Sequence, residues 1–243
     1  MKYLKKFENN SSYEEYILSE DSILPNVSYT VDTNEVFYNP LISNPSLYEF
    51  VDLGLPSGLK WATCNVGATK PEEYGLYFAW GETQGYRFND KTFYWGDYKL
   101  CDGSSSKLTK YNNNSSYGTV DNLTVLEQAD DAAYQSDNAC IMPTSDKYQE
   151  LIDNTTSTRE TLNGVNGMRF TSNMNGNSIF FPASGYYYDG TIYDVDSVGA
   201  LWSSSLNSSN PIAACCLRFD SSGATTGIGP DRCYGLTVRA VKE

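Results

Sequence analysis

Residues 177–243 read NSIFFPASGYYYDGTIYDVDSVGALWSSSLNSSNPIAACCLRFDSSGATTGIGPDRCYGLTVRAVKE and contain four short apolar runs, at 178–181, 200–203, 214–219 and 236–241. Short apolar runs separated by Gly, Pro, Asn, Asp and Ser are typical of buried strands between turns. The segments between the runs are rich in Tyr, Ser, Asn and Gly. The pattern therefore predicts strands of a packed sheet that present loops, the layout of a binding protein rather than a catalyst.

The composition supports this prediction and excludes several classes of function. The chain has 243 residues, 20 of them Tyr, and only 19% are charged, which favours a loop-rich, mostly β fold over disorder. This length suits one large domain or two small ones. A net charge of −13 makes nucleic acid and anionic membranes poor partners. The absence of His excludes Ser-His and Cys-His nucleophiles and His-ligated metal sites.

The six cysteines include no C-x-x-C pair, which argues against a zinc ribbon or thioredoxin-like chemistry. Cys215 and Cys216 are adjacent, and neighbours on a strand point to opposite faces, so they are not expected to bond each other. The favoured interpretation is that they are small buried apolar residues. A disulfide between Cys233 and either of them remains an alternative for a protein that matures outside a cell.

Residues 1–47 are predicted to form a separate anchoring and oligomerisation segment with one helix and one hairpin. The sequence SSYEEYILS at 11–19 has a Ser cap followed by two Glu residues, which favours a helix start. The segments 26–31 and 35–40 flank an Asp-Thr-Asn turn and predict a hairpin. Such a small unit buries little surface, so we expect it to dock on another copy or on a larger assembly.

Residues 48–243 form the main predicted domain, in which strands precede two helices and further strands follow them. This order predicts an α+β fold rather than the alternation of a doubly wound sheet. Apolar residues at helical spacing predict the first helix over 121–137 and the second over 143–154. Between the early strands and the helices we expect a long loop with one short strand at 93–98.

No recognisable catalytic or metal-binding arrangement emerges from the acidic residues. Asp130 and Asp131 are adjacent, but neighbouring helical side chains diverge by about 100°, which makes a shared cation the less favoured interpretation. No pair of carboxylates stands in a glycosidase motif, although their separation cannot be read from a sequence. We therefore expect a protein that is not an enzyme and that uses no cofactor and no metal.

Six blocks within residues 49–241 together resemble, in order, the Fibrobacter succinogenes major paralogous domain family: VDLGLPSGLKWATCNVGATKPEEYGLYFAWGET, LEQADDAA, MPTSDKYQELI, GNSIFFPASGYYYDG, LWSSS and YGLTVRAVKE. The resemblance implies a C-type-lectin-like fold, with two helices packed on twisted antiparallel sheets. That fold group includes the formylglycine-generating enzymes, but the cysteine spacing here does not resemble their paired-cysteine copper site. The sequence departs from the family at SDNACIMPT, where members carry an aromatic-rich segment with Trp and Arg.

The blocks LKKFENNSSYEEYI and PNVSYTVDTNEVFYNP, within residues 1–47, resemble an N-terminal segment of virion and surface-type proteins of phages that infect gut Bacteroidetes. This implies a virion structural protein, a head- or tail-fibre-like decoration assembled in the host cytoplasm. Residues 1–47 would contact a capsid or tail protein, and a homotrimer is expected. The lack of a signal-peptide hydrophobic region fits this expectation. The alternatives are a bacterial binding or adhesion protein and a purely structural decoration with no ligand.

The resemblance also implies where a host-surface glycan or protein would bind. In C-type-lectin-like folds ligands meet loops at one end of the last strands, which here are 185–197, 203–211 and 221–233. Tyr offers rigid amphipathic contact area, and Ser and Asn offer adaptable hydrogen bonds. The residues expected to bind the ligand are Tyr187, Tyr188, Asp189, Tyr193, Asn207 and Arg232.

Other prominent residues of the same region are expected to be structural. Trp202 is assigned to the core, and Arg239 is expected to pair with a carboxylate near the sheet edge. Gly185, Gly199 and Gly235 are most simply turn or close-packing positions.

Overall fold

The chain divides into two compact units, Met1–Pro45 and Ser46–Glu243. The structure is a computed structural model that describes residues 2–7, 13–18, 36–38, 48–87 and 90–243. Over these ranges, no helix combines the length and the apolar character needed to cross a membrane.

The N-terminal unit contains a small antiparallel sheet made of β1 (Lys2–Phe7), β2 (Tyr13–Leu18) and β3 (Val36–Tyr38). The strand order is β2-β1-β3, so β1 is central. The β1–β2 register runs from Lys2 opposite Leu18 to Phe7 opposite Tyr13.

The sheet corrects the predicted N-terminal helix. Residues 13–18 are a strand, so the helix expected over 11–19 is wrong. Tyr and Ile favour extended backbone, and pairing with β1 outweighs the cap signal of the Ser residues. The predicted hairpin is also changed, because residues 36–38 pair with β1, while its other predicted strand, 26–31, lies outside the described residues.

The main unit combines antiparallel strands with two helices, which confirms the α+β class expected from the order of elements. Its elements are β4 (Phe50–Asp52), β5 (Lys60–Asn65), α1 (Ala132–Ser136), α2 (Ser145–Asp153), β6 (Thr155–Leu162), β7 (Val165–Ser172), β8 (Ser178–Pro182), β9 (Tyr186–Tyr188), β10 (Thr191–Tyr193), β11 (Gly199–Leu206), β12 (Ala213–Asp220), β13 (Gly223–Asp231) and β14 (Arg239–Lys242). Short 3-10 turns occur at Trp95–Asp97, Ser115–Tyr117 and Gln128–Asp130.

The strands form three three-stranded sheets and one hairpin. The sheet orders are β14-β5-β4, β6-β7-β8 and β11-β12-β13, and β9 pairs with β10. The first three apolar runs of residues 177–243 become β8, β11 and β12, as predicted. The fourth run is regular strand only from Arg239, because Leu236 and Thr237 instead make single bridges to Phe78 and Leu201.

The second predicted helix is confirmed, and the first is largely wrong. Helix α2 begins after Thr144, whose side chain accepts a hydrogen bond from the backbone N–H of Lys147. The first helix is reduced to α1, with Asp131 as its cap. Val125 and Leu126 instead pair with β11, because Leu126 donates its N–H to the Ser204 carbonyl and Val125 bridges Ser205, and a 3-10 turn at Gln128–Asp130 follows. The strand predicted at 93–98 is wrong too, since that segment contains a 3-10 turn.

Two tryptophans of the core, Trp80 and Trp202, bond to the backbone of neighbouring segments. Trp202 is fully buried, as predicted, and its Nε1 donates to the Phe78 carbonyl at 2.7 Å. Trp80 is equally buried and donates to the Ser203 carbonyl at 2.8 Å. These two bonds tie the segment around Phe78 to β11, and a buried indole N–H needs such a partner.

Arg239 corrects another prediction, because it does not pair with a carboxylate at an edge. Its side chain is fully buried in β14, where Nε donates to Asn65 Oδ1 at 2.9 Å. Its two terminal nitrogens donate to the carbonyls of Ala62 and Phe180, at 2.8 and 3.0 Å. The guanidinium also lies 4.2 Å from the centre of the Phe181 ring. Burial lowers the pKa of Arg239 to about 10, so it remains a cation at neutral pH.

Candidate ligand-binding site

Four of the six predicted ligand residues lie on one surface hairpin, β9–β10, and three of these four are at least partly exposed. Tyr188 is half-buried at the end of β9, Asp189 is exposed in the turn, and Tyr193 is 41% exposed at the end of β10. Asp189 has a positive φ of 48°, and Gly190, at 73°, follows it. An Asp-Gly pair in this conformation is the favoured two-residue turn of a hairpin, which is why the chain reverses here.

The other three predicted residues are buried and have structural partners. Tyr187 is fully buried, with its ring centre 5.6 Å from those of both Tyr77 and Phe93. Asn207 is buried, and its Oδ1 accepts the N–H of Ser209 in a local turn. Arg232 is also fully buried. None of these three side chains reaches the surface in this structure, so a ligand surface cannot be built on them.

Arg232 is held by backbone carbonyls rather than by an acid. Its Nη1 donates to the carbonyl oxygens of Tyr111 and Lys110, at 2.8 and 3.2 Å. Its guanidinium carbon lies 5.4 Å from the ring centres of both Trp80 and Tyr98. This arrangement joins the loop at residues 100–111 to the end of β13 and gives the cation a structural role.

The exposed face of the β9–β10 hairpin carries a row of four stacked tyrosines, which we call the tyrosine ladder. In order, the rings are Tyr193, Tyr186, Tyr234 and Tyr188. Neighbouring ring centres are 5.5, 6.0 and 4.3 Å apart, and the ring planes differ by only 19–21°. All four rings are half-buried or exposed.

Strand geometry explains how the ladder forms. Alternate residues of a strand point to the same face, so Tyr186 and Tyr188 face outward while Tyr187 faces the core. The hairpin register places Tyr193 opposite Tyr186. An antiparallel bridge between Tyr187 and Gly235 then brings Tyr234 beside Tyr188. Cross-strand neighbours at these spacings stack, and such aromatic pairs favour the pairing itself.

Tyr186 lies in the predicted Tyr-rich loop at 185–197 but was not among the expected ligand residues, and neither was Tyr234. The run Tyr186-Tyr187-Tyr188 contained a usable signal for Tyr186. Alternate residues of a strand point to the same face, so Tyr186 and Tyr188 form an outward pair when Tyr187 points inward. Tyr234 had no local signal. It joins the ladder only through the long-range bridge at Gly235.

The backbone beside the ladder is tightly held. Gly185 has a φ of 63°, and a side chain there would collide with the Tyr193 carbonyl. Asp194 accepts backbone hydrogen bonds from Ser197 and Val198, at 3.1 and 2.9 Å. Asp196 accepts a bond from the Tyr74 hydroxyl at 2.8 Å. The ladder is therefore preorganised, which lowers the entropy cost of binding a ligand.

A shallow pocket of about 200 Å³ lies beside the middle of the ladder. Tyr186 and Tyr234 form one side of it, and Ala200 and Cys216, both buried, line it as well. The remaining lining residues come from β12 and β13, and they are Arg218, Ile228, Gly229 and Pro230. Ile228 is 85% exposed, so the pocket has a large apolar side chain that the main unit does not cover.

The electrostatics keep the phenols of Tyr186 and Tyr234, the two middle rings of the ladder, neutral. Burial, followed by the neighbouring charge of Asp231, raises the pKa of Tyr234 to about 12. Burial and the charge of Asp194 raise the pKa of Tyr186, although Arg218 opposes this shift. Neutral phenols both donate and accept hydrogen bonds, so the ladder offers a row of hydroxyls as well as apolar ring surface.

The cysteines near this site are thiols with little reactivity. Cys216 and Cys233 are buried, and all three of Cys215, Cys216 and Cys233 are present as thiols rather than in the alternative disulfide. Burial raises the pKa of Cys216 to about 12 and also raises those of Cys215 and Cys233. Because the thiolate is the reactive form, these residues behave as small apolar side chains.

Asp130 and Asp131 are occupied by protein partners. The two oxygens of Asp131 accept backbone N–H groups from Ala133, Tyr134 and Met142, at 2.8–3.0 Å. Asp130 accepts from Lys110 Nζ at 2.5 Å and from the Tyr111 hydroxyl at 2.6 Å. Within the described ranges, no group of three or more Cys, Asp or Glu side chains is placed to hold a metal ion.

No protein-family model, no curated protein and no solved structure matches this chain. The resemblance to the Fibrobacter succinogenes major paralogous domain and to the C-type-lectin-like fold therefore stays a prediction.

Proposed function

We propose that residues 48–243 form a C-type-lectin-like binding domain that uses the tyrosine ladder and its pocket to hold a glycan or protein on a host surface. The observation that carries this proposal is the half-exposed row of Tyr193, Tyr186, Tyr234 and Tyr188. Tyr is enriched at recognition surfaces because it supplies large contact area at low conformational-entropy cost. A second set of aromatic residues, around Tyr187, is fully buried and supports the hairpin from beneath.

The two end rings of the ladder, Tyr193 and Tyr188, differ from the middle rings in the number of stacking neighbours. Among ring contacts of the described residues, Tyr193 stacks only on Tyr186, and Tyr188 stacks only on Tyr234. Each end ring therefore keeps one face that no ladder neighbour covers. Such faces suit the apolar side of a sugar ring or the side chain of a protein partner.

Ligand binding is expected to fall about tenfold or more when both Tyr188 and Tyr193 are replaced by Ala, because both end rings are lost. Binding of the purified protein to host cells, measured by flow cytometry, tests this expectation. Tyr94→Ala is the matched control, because Tyr94 is 42% exposed but lies outside the ladder. Equal binding by the double variant and the parent would show that the ladder is not the ligand surface, as in a purely structural decoration.

The biological setting that fits this domain best is a phage particle. We infer that the protein is a virion structural protein, a head- or tail-fibre-like decoration, and that residues 1–47 attach it to a capsid or tail protein. Two observations support this: the resemblance of residues 1–47 to virion proteins, and the division of the chain into two separate compact units. In this proposal the mature protein is a homotrimer, which light scattering of the purified protein would measure.

Deleting residues 1–47 is expected to abolish incorporation into particles while leaving residues 48–243 folded. The separate compactness of the main unit is the physical reason for expecting it to fold without the N-terminal unit. Particles assembled with the shortened protein would be purified on a density gradient and probed with an antibody to the main unit. Normal incorporation of the shortened protein would overturn the attachment role.

A further inference from the structure

Among the described residues, Arg218 is the only cation that lines the pocket beside the ladder. It projects from β12, and its side chain is 48% exposed. In the described part of the chain its one ion pair is with Asp220, at a long 3.9 Å. The other oxygen of Asp220, Oδ1, already accepts bonds from the N–H and hydroxyl of Ser222, at 2.8 and 2.6 Å. The guanidinium has five N–H donors, so it can donate hydrogen bonds to a ligand in the pocket.

The size of the pocket limits what can occupy it. Pockets for drug-sized molecules enclose roughly 300–1,000 Å³. A pocket of about 200 Å³ instead suits one sugar ring or one side chain. Its walls include the rings of Tyr186 and Tyr234, together with Pro230 and Ile228, so most of the contact on offer is apolar.

We propose that this pocket is a subsite for a single carboxylated sugar residue, such as a hexuronic or nonulosonic acid, within a glycan bound along the ladder. The apolar face of the sugar ring would pack on Tyr186 and Tyr234. Its carboxylate would accept paired hydrogen bonds from Arg218, the geometry in which a guanidinium holds a carboxylate best. This inference rests on the proposed function, and it narrows the ligand to one chemical class.

The surroundings favour a glycan over a peptide as the source of that carboxylate. The pocket lies beside the tyrosine ladder, whose hydroxyl groups can donate hydrogen bonds to, and accept them from, the hydroxyl groups of further sugar units. The protein has a net charge of −13, and Asp194 lies close enough to Tyr186 to shift its pKa. A dense polyanion would be repelled, so the acidic sugar is expected to be isolated in an otherwise neutral glycan.

The test uses an array of acidic glycans, each printed beside its carboxyl methyl ester, which keeps the ring and removes the negative charge. Full-length protein should bind at least one acidic glycan, and the methyl ester of that glycan should bind about tenfold more weakly, because the ester lacks the negative charge that strengthens the paired hydrogen bonds to Arg218. The Arg218→Ala variant should bind the acidic glycan more weakly than the parent does, by the same factor, and should bind the ester almost as well as the parent does. The Arg218→Lys variant should lose part of the affinity for the acidic glycan, because an ammonium group cannot form the paired hydrogen bonds.

Lys107→Ala is the matched control, since it removes one cation whose side chain is 62% exposed and which does not line the pocket. Thermal unfolding of each variant checks that Arg218→Ala leaves the fold intact, as expected for an exposed side chain. Equal binding of acids and esters, binding to no carboxylated glycan, or preference for a peptide with a free C-terminal carboxylate would each overturn the subsite. Ladder-dependent binding to host cells that survives in Arg218→Ala would reject this inference and leave the proposed function standing.

Discussion

Replacing Arg239 with Ala is expected to lower the free energy of unfolding by more than about 3 kcal/mol. The substitution leaves three buried oxygens without donors: Asn65 Oδ1 and the carbonyls of Ala62 and Phe180. It also removes the cation that packs against the Phe181 ring and leaves a cavity in its place. Urea denaturation followed by tryptophan fluorescence measures the loss.

Two further variants separate the causes of that loss. Arg239→Met keeps most of the side-chain volume but supplies no donors, so it should recover only the cavity part of the cost. Lys242→Ala, on the same strand, removes a cation 4.1 Å from the Phe50 ring and should cost about 1 kcal/mol or less. If Arg239→Ala costs no more than Lys242→Ala, the buried network is not what holds β14 to β5 and β8.

The strands that could be predicted from sequence are those whose own residues are apolar. Strands β8 and β11 are almost entirely buried, and their runs of Ile, Phe, Leu and Trp identify them. Strand β13, GATTGIGPD, was predicted as a loop because it contains Gly and Pro and little apolar content. It is extended because it pairs with the preceding strand, β12, across the short turn at residues 221–222, and its own composition lacks the apolar pattern that would identify a strand.

The candidate site was predictable to a similar extent. The Tyr-rich segment 185–197 could be located, although it was predicted as a loop and is a hairpin, and Tyr188 and Tyr193 do face outward from it. The register of the strand decides which face of the sheet each side chain occupies. Because successive side chains point to opposite faces, Tyr187 between Tyr186 and Tyr188 is buried in the core. The pocket residue Arg218 sits within an apolar run, and only the pairing of β12 with β11 and β13 places it beside the ladder.

Replacing Arg232 with Ala is expected to affect stability rather than recognition. Its guanidinium is fully buried between Trp80 and Tyr98 and satisfies the carbonyls of Lys110 and Tyr111. Losing it should lower the free energy of unfolding by about 2–4 kcal/mol, from unsatisfied acceptors and lost packing. Binding to host cells, expressed per folded molecule, should change by less than about twofold, because the side chain does not reach the surface.

Tyr188→Ala is the matched contrast to Arg232→Ala, because it is expected to weaken binding while costing little stability. Its ring stacks on Tyr234 at the half-exposed end of the ladder, and truncating it leaves no buried polar group unpaired. Chemical denaturation and cell binding measured on both variants should therefore give opposite profiles. A selective loss of binding in Arg232→Ala with unchanged stability would mean that Arg232 reaches the ligand, and that the loop at residues 100–111 opens to let it do so.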